Sequence, residues 1–557
     1  MTAAIYYHPE AYTTKGPKLM GRNAAGESFL RGFFSYSKAQ TFWVQVQKPE
    51  HARYFAQTAE CFGRSEAVKA VDKQSLVALS QVGAIYFPGP GIGEHAFHRA
   101  AYGHGAWSLC GITHTTSSAG AMDALAALIT SPVQPWDAVI CTSSAVKNNV
   151  ERLLQAQVDY LSDRLGISKL VLPRLPVIPL GIHTKDFVYS ETVKSQARTS
   201  LGAGPETIVL LFMGRLSFHA KAHPLAMYQA VQHAVAVTGK DVVLLECGWH
   251  ANEFIRQAYA EAAQQACPDV RVLTLDGRKQ EDRQTAWAGA DLCCSLSDNI
   301  QETFGIVPLE AMASGLPVVV SDWDGYKDTV REGIDGFRIP TFMPQAELGS
   351  DLALRHALEI DSYDMYCGHS CSLIAVDVDA TAQALIRLFE SPELRRQLGQ
   401  SGRTRARELY DWAVIIPRYE DLWSELNEIR KAQASGLKQL PRPWPARMDP
   451  FYAFAAYPTR SLTEQTLLRL SDGDSEKALQ RTLAYRRLAM VDFAKAILPS
   501  EEEIRLVLAS AHRQKSEPWS AARSAAQWVE LIPEPRRPYV FRTLAWFVKL
   551  GVLTVLP

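Results

Sequence analysis

The sequence predicts an α/β protein with two doubly wound parallel sheets, followed by a smaller helical module. Two observations lead to this class. Short β-branched or aromatic runs alternate with longer helical patterns, break off at a polar stretch over residues 182–204, and then resume. The chain also has 557 residues, which is too long for a single hydrophobic core. We therefore expect domains at 1–185 and 186–434 and a module at 435–557.

Each sheet is predicted from six strand-like runs. The first set covers residues 4–8, 41–46, 84–88, 109–114, 138–143 and 176–180. The second set covers residues 207–214, 241–248, 270–277, 290–297, 317–322 and 336–340. Residues 182–204, between the two sets, are expected to form an irregular linker. Because ligands of such sheets bind beyond the carboxyl ends of the strands, a site is expected in the loops that follow strands.

The last part of the chain has a different pattern. A proline-rich connector, LPRPWPARMDP, precedes sequence that is nearly all helical in pattern. We expect a small, mainly helical module, with a winged helix as one form of it. Its helices carry four basic residues, Arg481, Arg486, Arg487 and Lys495. A core face opposite a solvated charged face is the simpler explanation, and peripheral docking to a membrane or to a protein partner is the alternative.

Composition and charge argue against several classes of protein. The formal net charge is -1, which gives no global electrostatic case for binding nucleic acid. The first residues lack a basic region followed by an apolar run, and no stretch approaches the roughly 20 apolar residues of a membrane span. Nine scattered cysteines fit a reducing compartment better than a disulfide framework. We therefore expect a cytoplasmic protein without a nucleic acid partner.

Two cations follow the first strand of the second set. The run TIVLLFM ends at Gly214, and Arg215 and Lys221 come soon after it. A guanidinium offers paired planar donors and an ammonium offers a point charge, so the two together can bind a diphosphate. An ordinary solvated loop is the alternative for this segment taken alone.

Two glutamates flank the start of a short helical pattern. Glu302 lies in the loop before Gly305, whereas Glu310 lies within the first turns of the helix, which Gly315 and Pro317 end. The helix start offers free N–H groups and a positive dipole end to an anion. The carboxylates can accept hydrogen bonds from hydroxyl-rich groups on either side of that anion. An ordinary loop residue and an acidic residue favoured by the helix dipole are the alternatives.

The stretch ETFGIVPLEAMASGLPVV resembles the glutamate–seven residues–glutamate signature of the retaining glycosyltransferases of family 4. Arg215 and Lys221 are similar to the phosphate-binding pair of that family. The resemblance extends in layout over residues 4–425 and implies the GT-B fold, in which two Rossmann-like domains face a cleft. It implies that Glu310 binds the ribose of a nucleotide sugar and that Glu302 contacts the transferred sugar. The acceptor side would then be 1–185 and the donor-binding side 186–434.

The resemblance also implies two residues in the first domain. His114 follows a strand in GITHTT, where the family has a histidine near the reacting carbon of the sugar; a structural histidine is the alternative. Gly26 stands where the family has a glycine-rich turn that opens a helix and faces the donor phosphates. This chain has Ala25-Gly26 in place of the usual two glycines.

These assignments together predict a retaining glycosyltransferase of glycan or polysaccharide biosynthesis. The residues assigned to catalysis are His114, Glu302, Arg215 and Lys221. The residues assigned to donor binding are Gly26, Gly214, Thr303, Phe304, Gly305, Ile306 and Glu310. The expected partners are a nucleotide diphosphate sugar and a glycan, lipid-linked or other hydroxyl acceptor. No metal and no cofactor are expected, since the nucleotide sugar is a substrate.

Three other motifs resemble cofactor or metal sites. They are Gly91-Ile-Gly93, Asp322-Trp-Asp324, and the cluster of Cys367, His369 and Cys371. The glycine loop lacks the acidic residue that would hold a ribose after the next strand, so we assign it to the acceptor cleft. The Asp-x-Asp pattern follows a strand where the family has a loop near the donor. The cysteine cluster has no standard zinc spacing.

Other functions stay open in two classes. A nucleotide-sugar epimerase or a phosphorylase on the same fold is the alternative among enzymes. A non-catalytic sugar-nucleotide binder with a partner-recruiting tail is the alternative from another class. The presence of both the cationic pair and both glutamates argues against a catalytically inactive chain.

Overall fold

A computed structural model describes residues 2–14, 21–437, 442–511 and 522–557, without the side chain of Arg22. The chain divides into two compact units, Met1–Trp444 and Pro445–Pro557, which are described separately below. The first residues of the predicted proline-rich connector lie outside the described ranges.

The first sheet has six parallel strands in the order β3-β2-β1-β4-β5-β6. The strands are β1 Ala4–Tyr7, β2 Thr41–Val46, β3 Ala67–Val71, β4 Ala84–Tyr86, β5 Ser108–Ile112 and β6 Ala138–Ile140. Strand β3 was not predicted, because it lies at the sheet edge and most of its residues are exposed. The predicted strand at 176–180 is wrong: it makes only an isolated bridge between Val177 and Cys141, since its prolines cannot donate to a ladder.

The second sheet repeats this order as β12-β11-β10-β7-β8-β9. Its strands are β7 Ile208–Met213, β8 Val242–Gly248, β9 Arg271–Asp276, β10 Leu292–Ser295, β11 Val318–Ser321 and β12 Gly336–Ile339. All six predicted runs contain these strands. Strands β7 and β8 are buried along their whole length, as expected for continuous apolar runs in a sheet covered on both faces. Two sheets with the dinucleotide-fold order confirm the predicted GT-B class.

Helices cover both sheets of the first unit. They are α1 Gly21–Tyr36, α2 Pro49–Cys61, α3 Leu79–Val82, α4 Gly93–Ala100, α5 Ala119–Ala126, α6 Ser144–Leu165, α7 Glu191–Ser200, α8 Leu225–Thr238, α9 Glu253–Ala266, α10 Gln280–Gly289, α11 Ile306–Ala313, α12 Tyr326–Thr329, α13 Ser350–Ala357, α14 Tyr363–Cys371, α15 Val378–Glu390, α16 Pro392–Leu409 and α17 Trp412–Gln433. A short hairpin pairs β13 Thr341–Phe342 with β14 Ala375–Val376.

The stretch predicted as an irregular linker is partly helical, so that prediction is wrong. It contains a 3-10 turn, Thr184–Phe187, and helix α7, which packs against α10. Ser190 caps α7 by accepting a hydrogen bond from the N–H of Val193 at 3.3 Å. Ala197 is the only residue of α7 that is fully buried. The helix is mostly polar, and one that buries so little apolar surface is only weakly indicated by its sequence.

Helix α17 comes from the end of the first unit but packs against the first sheet. Trp412, Tyr419 and Trp423 on this helix are all 0% exposed. Between ring centroids, Trp412 lies 5.8 Å from Phe29 and Tyr419 lies 5.8 Å from Tyr86. The ring of Trp423 lies 6.3 Å from that of Phe33. The core of the first domain therefore includes residues that follow the whole second domain in sequence.

The second unit combines helices with a small antiparallel sheet of order β16-β15-β17. Its strands are β15 Leu467–Leu470, β16 Arg523–Ser524 and β17 Leu553–Val555. Its helices are α18 Pro450–Ala453, α19 Ser475–Arg486, α20 Ala489–Asp492, α21 Glu501–Ala509, α22 Ala525–Trp528, α23 Arg537–Phe541 and α24 Leu544–Lys549. The helical module is confirmed, although the sequence did not predict strands of only two to four residues.

Two of the basic residues of this unit support its own structure. Arg481 donates to the carbonyl of Gly551 at 2.5 Å, and Arg486 donates to that of Pro499 at 2.7 Å. None of the helices in the described ranges combines the length and the apolar character that a membrane-spanning helix requires.

Candidate active site

The loop after β7 carries the predicted phosphate-binding cations. It begins at Gly214, whose φ of +143° is readily adopted only by glycine. Arg215 donates through Nη2 to the carbonyl of Ala220 at 2.6 Å and to Oε1 of Gln301 at 3.0 Å. These two bonds fix the guanidinium beside the loop that follows β10.

Lys221 forms an ion pair with Glu302 across the same edge of the sheet. The two side chains are 24% and 13% exposed. Burial raises the pKa of Glu302, but the Lys221 ammonium and the N–H of Thr303, 3.3 Å from Oε1, outweigh it and hold that pKa below its usual range. The structure therefore brings Arg215, Lys221 and Glu302 together, with Glu302 ionised. A diphosphate that binds Lys221 must compete with this carboxylate.

Glu310 has different neighbours from Glu302. It lies in the second turn of α11, and burial raises its pKa to about 7 although the Arg283 guanidinium opposes that rise. The charge of Glu310 adds to burial in raising the pKa of Tyr189 to about 12. A carboxyl group half-ionised near neutral pH suits a group that exchanges hydrogen bonds with hydroxyls.

The segment between the glutamates is shaped by packing. A Cβ on Gly305, whose φ is +82°, would lie 1.8 Å from Cε1 of Tyr326. Phe304 is 2% exposed, with its ring 6.4 Å from that of Tyr410. Ile306 is only partly buried and packs on the core. Close packing against Tyr326 thus explains why position 305 is a glycine. The binding roles of Phe304, Gly305 and Ile306 stay predictions.

Loops of the first domain contact this segment directly. His114 follows β5 and is partly buried, and its carbonyl accepts a hydrogen bond from Oγ1 of Thr303 at 3.2 Å. Ser143, after β6, donates to the carbonyl of Thr303 at 2.9 Å, and Thr142 donates to it at 3.3 Å. The backbone of His114 therefore contacts Thr303, the residue after Glu302, and the catalytic role of His114 stays a prediction.

Gly26 is not in a turn, so that part of its prediction is wrong. It lies within α1, which begins at Gly21. A Cβ at Gly26 would lie 2.1 Å from the carbonyl oxygen of Ala11, so glycine is required by close packing. Residues 15–20, which precede the helix, lie outside the described ranges. Donor binding by Gly26 stays a prediction.

Asp324, of the Asp-x-Asp motif, lies close to Ser143 and to Glu302. Its φ is +43°, and its Oδ1 accepts a hydrogen bond from Oγ of Ser143 at 3.0 Å. Burial, followed by the charge of Glu302, raises the pKa of Asp324 to about 8. Asp322 instead lies 3.5 Å from Nε of Arg338. The two aspartates therefore have different surroundings.

The glycine loop at Gly93 and the cluster of Cys367, His369 and Cys371 both have contacts that a structural role explains. A Cβ on Gly93 would lie 2.5 Å from Oγ of Ser131, so this glycine allows α4 to pack closely. Cys367 and Cys371 are buried free thiols, and His369 pairs with Asp361 at 3.2 Å. Among the described residues, no three His, Cys, Asp or Glu side chains are grouped so that they could hold a metal ion.

Comparisons with known proteins identify part of the chain. Residues 207–349 match the family described as Glycosyl transferases group 1. The chain is 28% identical over 192 residues to a D-inositol 3-phosphate glycosyltransferase of Mycobacterium marinum, which is 34% of this chain and 39% of that protein. It is 24% identical over 285 residues to an MMP alpha-(1->4)-mannosyltransferase of Mycolicibacterium hassiacum, which is 51% of this chain and 56% of that protein.

A solved structure of HepE from Anabaena with UDP and glucose is also similar, with a TM-score of 0.47 and 17% identity over 76% of this chain and 100% of that one. The chain spans only 39% of the length of the first curated relative. The family match covers β7 to β13 and includes Arg215, Lys221, Glu302 and Glu310. Residues 207–349, which carry these four side chains, are therefore the part of the chain that is similar to the family Glycosyl transferases group 1.

Proposed function

We propose that the protein is a retaining hexosyltransferase that moves a sugar from a nucleotide diphosphate sugar to an acceptor hydroxyl in glycan biosynthesis. The observation that carries the proposal is the ion pair of Lys221 with Glu302, next to Arg215, at the carboxyl edge of the second sheet. The names of the two curated relatives, a glycosyltransferase and a mannosyltransferase, support the reaction class.

Donor binding exchanges the partners of this ion pair. Lys221 turns to the diphosphate, which Arg215 also binds, and Glu302 is released to accept hydrogen bonds from the hydroxyls of the sugar. The start of α11 offers its N–H groups to the same phosphates. Glu310, on the next turn, accepts hydrogen bonds from the ribose. These groups are fixed before the reaction, so they stabilise the leaving diphosphate with little reorganisation.

The transfer step breaks the bond between the anomeric carbon and the phosphate oxygen and forms a bond from that carbon to the acceptor oxygen. The acceptor attacks on the face that the diphosphate leaves, and its proton passes to the leaving phosphate. His114 positions the sugar from the first-domain side. Glu302 acts on the sugar hydroxyls and does not become glycosylated.

A screen of nucleotide sugars by thermal shift tests the donor, because only a bound donor stabilises the fold. Transfer to added acceptors then tests the reaction. Nucleotide release that depends on the acceptor separates transfer from epimerisation. Arg215→Ala and Lys221→Ala should each lower kcat/KM by at least about tenfold, since both face charge that grows as the diphosphate leaves. Full activity in both variants would contradict the phosphate assignment.

NMR and mass spectrometry test the stereochemistry and the absence of a covalent intermediate. NMR of the first-formed product should show the anomeric configuration of the donor. Intact-protein mass spectrometry with donor and a slow acceptor should show no sugar on Glu302, and an adduct there would contradict same-face attack.

We also propose that no metal or cofactor is needed, so activity should persist in excess EDTA. Loss of activity that manganese restores would move attention to Asp322 and Asp324.

The cytoplasmic location and the role of the second unit are proposals as well. Large apolar side chains of this unit are exposed, among them Phe451 at 73%, Tyr457 at 82% and Phe493 at 83%. Such residues support contact with a lipid surface or with a protein partner that presents the acceptor. Sedimentation with anionic vesicles, compared between the full chain and residues 1–444, tests the membrane form of this proposal.

A further inference from the structure

Tyr363 is held next to the cationic loop by the packing of its helix. It is the first residue of α14, and a Cβ on Gly368 of that helix would lie 3.0 Å from Cβ of His219. Just before the helix, Asp361 accepts hydrogen bonds from Nε and Nη2 of Arg355 at 2.8 and 2.7 Å. Tyr363 therefore starts a helix that is fixed both to the loop after β7 and to α13.

The hydroxyl of Tyr363 has partners in both domains of the first unit. In the loop after β5, Oγ of Ser117 lies 3.0 Å away and Oγ1 of Thr115 lies 3.3 Å away. In the second domain, Nε2 of Gln301 donates to this hydroxyl at 3.1 Å. The other end of the Gln301 amide accepts the 3.0 Å hydrogen bond from Arg215. Tyr363 thus links the loop that contains His114 to the guanidinium of Arg215, with only the Gln301 side chain between them.

We propose that Tyr363 is a positioning residue for the transfer reaction, which couples contact between the two domains to the orientation of Arg215. The inference rests on the proposed function. The hydrogen bonds to Thr115 and Ser117 exist only when the two domains are in contact, whereas the bond to Gln301 lies within the second domain. Contact between the domains therefore fixes Gln301, and Gln301 fixes the guanidinium that faces the diphosphate.

The chemistry of the hydroxyl group fits this role. A tyrosine hydroxyl has one proton to donate and lone pairs to accept with, which matches one hydroxyl partner and the amide of Gln301. Burial raises the pKa of Tyr363, although its hydrogen-bonding partners oppose that rise, so the proton is kept at neutral pH. The groups in this network are all neutral except Arg215.

Tyr363→Phe tests the inference, because it keeps the ring and removes only the hydroxyl. The single-turnover rate should fall about tenfold, which is what loss of one or two hydrogen bonds between the domains costs, while KM for the donor changes less than about threefold. Tyr366→Phe is the matched control: it lies on the same helix, and its ring stacks on His356 at 4.1 Å. Combining Tyr363→Phe with Gln301→Leu should lower the rate no further than the more harmful single substitution.

A second measurement does not depend on catalysis. In the full chain without nucleotide, amide hydrogen exchange over residues 114–118 should be several-fold faster in Tyr363→Phe than in wild type, and unchanged in Tyr366→Phe. Unchanged exchange in Tyr363→Phe would overturn the inference whatever the activity. Faster exchange with an unchanged rate of transfer would also overturn it. Faster exchange in a protein whose wild type transfers no sugar would refute the proposed function and leave the link between the domains standing.

Discussion

Glu302 and Glu310 lie eight residues apart in sequence, but their surroundings shift their acidities in opposite directions. Lys221 and a backbone N–H hold the pKa of Glu302 below its ordinary value, whereas burial raises that of Glu310 to about 7. Ionised Glu302 therefore stabilises the fold through its ion pair. Ionised Glu310 destabilises it, which is a cost often found at binding groups.

We predict that Glu310→Gln stabilises the first unit at pH 8 and that Glu302→Gln destabilises it. The pKa of Glu310 rises from 4.5 in the unfolded chain to about 7. Its contribution to stability is therefore fully present below pH 4.5 and is lost as the pH rises through 7. A glutamine does not ionise, so the variant keeps the free energy of unfolding that wild type loses at pH 8, on the order of 1–3 kcal/mol.

Thermal unfolding at pH 5 and pH 8 measures both variants. The gain in Glu310→Gln should shrink towards pH 5. Glu302→Gln should have a lower midpoint than wild type at pH 8, because the lowered pKa of Glu302 stabilises the folded state above its unfolded pKa. The same sign of shift in both variants at pH 8 would contradict the two assigned environments.

Helix α11 is bounded by two glycines with left-handed backbone, Gly305 at φ +82° and Gly315 at φ +81°. At Gly315 an added Cβ would meet only Cδ of Arg403, at 3.8 Å. At Gly305 it would meet the Tyr326 ring at 1.8 Å. At the helix start, glycine is therefore required by the close approach of Tyr326, the first residue of α12. At the helix end, glycine is required only for its left-handed backbone.

We predict that alanine at these two positions has unequal effects. Gly315→Ala should cost about 1–2 kcal/mol, the strain of a left-handed alanine. Gly305→Ala should cost about 2–5 kcal/mol, because an overpacking cost adds to the same strain. Denaturant unfolding of the two variants provides the comparison, with Gly315→Ala as the control for backbone strain. Equal losses would mean that Tyr326 moves aside freely.

At the scale of the whole molecule, the second unit has its own hydrophobic core, formed around Leu468, Ile504, Trp528 and Phe547. The residues assigned to the donor all lie in the first unit. Trp444, the last residue of that unit, stacks on Phe97 with ring centroids 5.0 Å apart. The end of the first unit is thus anchored to its own fold.

We predict that residues 1–444 fold alone and keep the donor affinity of the full chain within about twofold, because no donor residue is removed. Transfer to the native acceptor should fall, because the second unit is proposed to contact the surface or partner that presents that acceptor. Calorimetry measures the first effect and a product assay measures the second. Residues 1–444 that are unfolded, or that fail to bind a donor bound by the full chain, would show that the second unit supports the site.

The sequence predicted the features that depend on local pattern. Buried strands such as β7 and β8 are continuous apolar runs, and the paired glutamates stand in a short signature. It did not predict α7, which buries too little apolar surface, or the network of Tyr363. Tyr363 and Ser117 are 246 residues apart, so no local pattern connects them. The close packing at Gly26 and Gly305 also depends on neighbours that only the folded chain brings near.

The return of α17 to the first domain has a consequence for synthesis on the ribosome. Residues 1–185 emerge first, but Trp412, Tyr419 and Trp423 fill their core and emerge only after the whole second domain. A nascent first domain therefore exposes the aromatic surface around Phe29 and Phe33 until helix α17 has emerged from the ribosome. We expect a 1–185 fragment to aggregate, and a co-expressed 405–437 segment to keep it in solution. A 1–185 fragment that is well folded alone would show that the late helix only covers a core that is already complete.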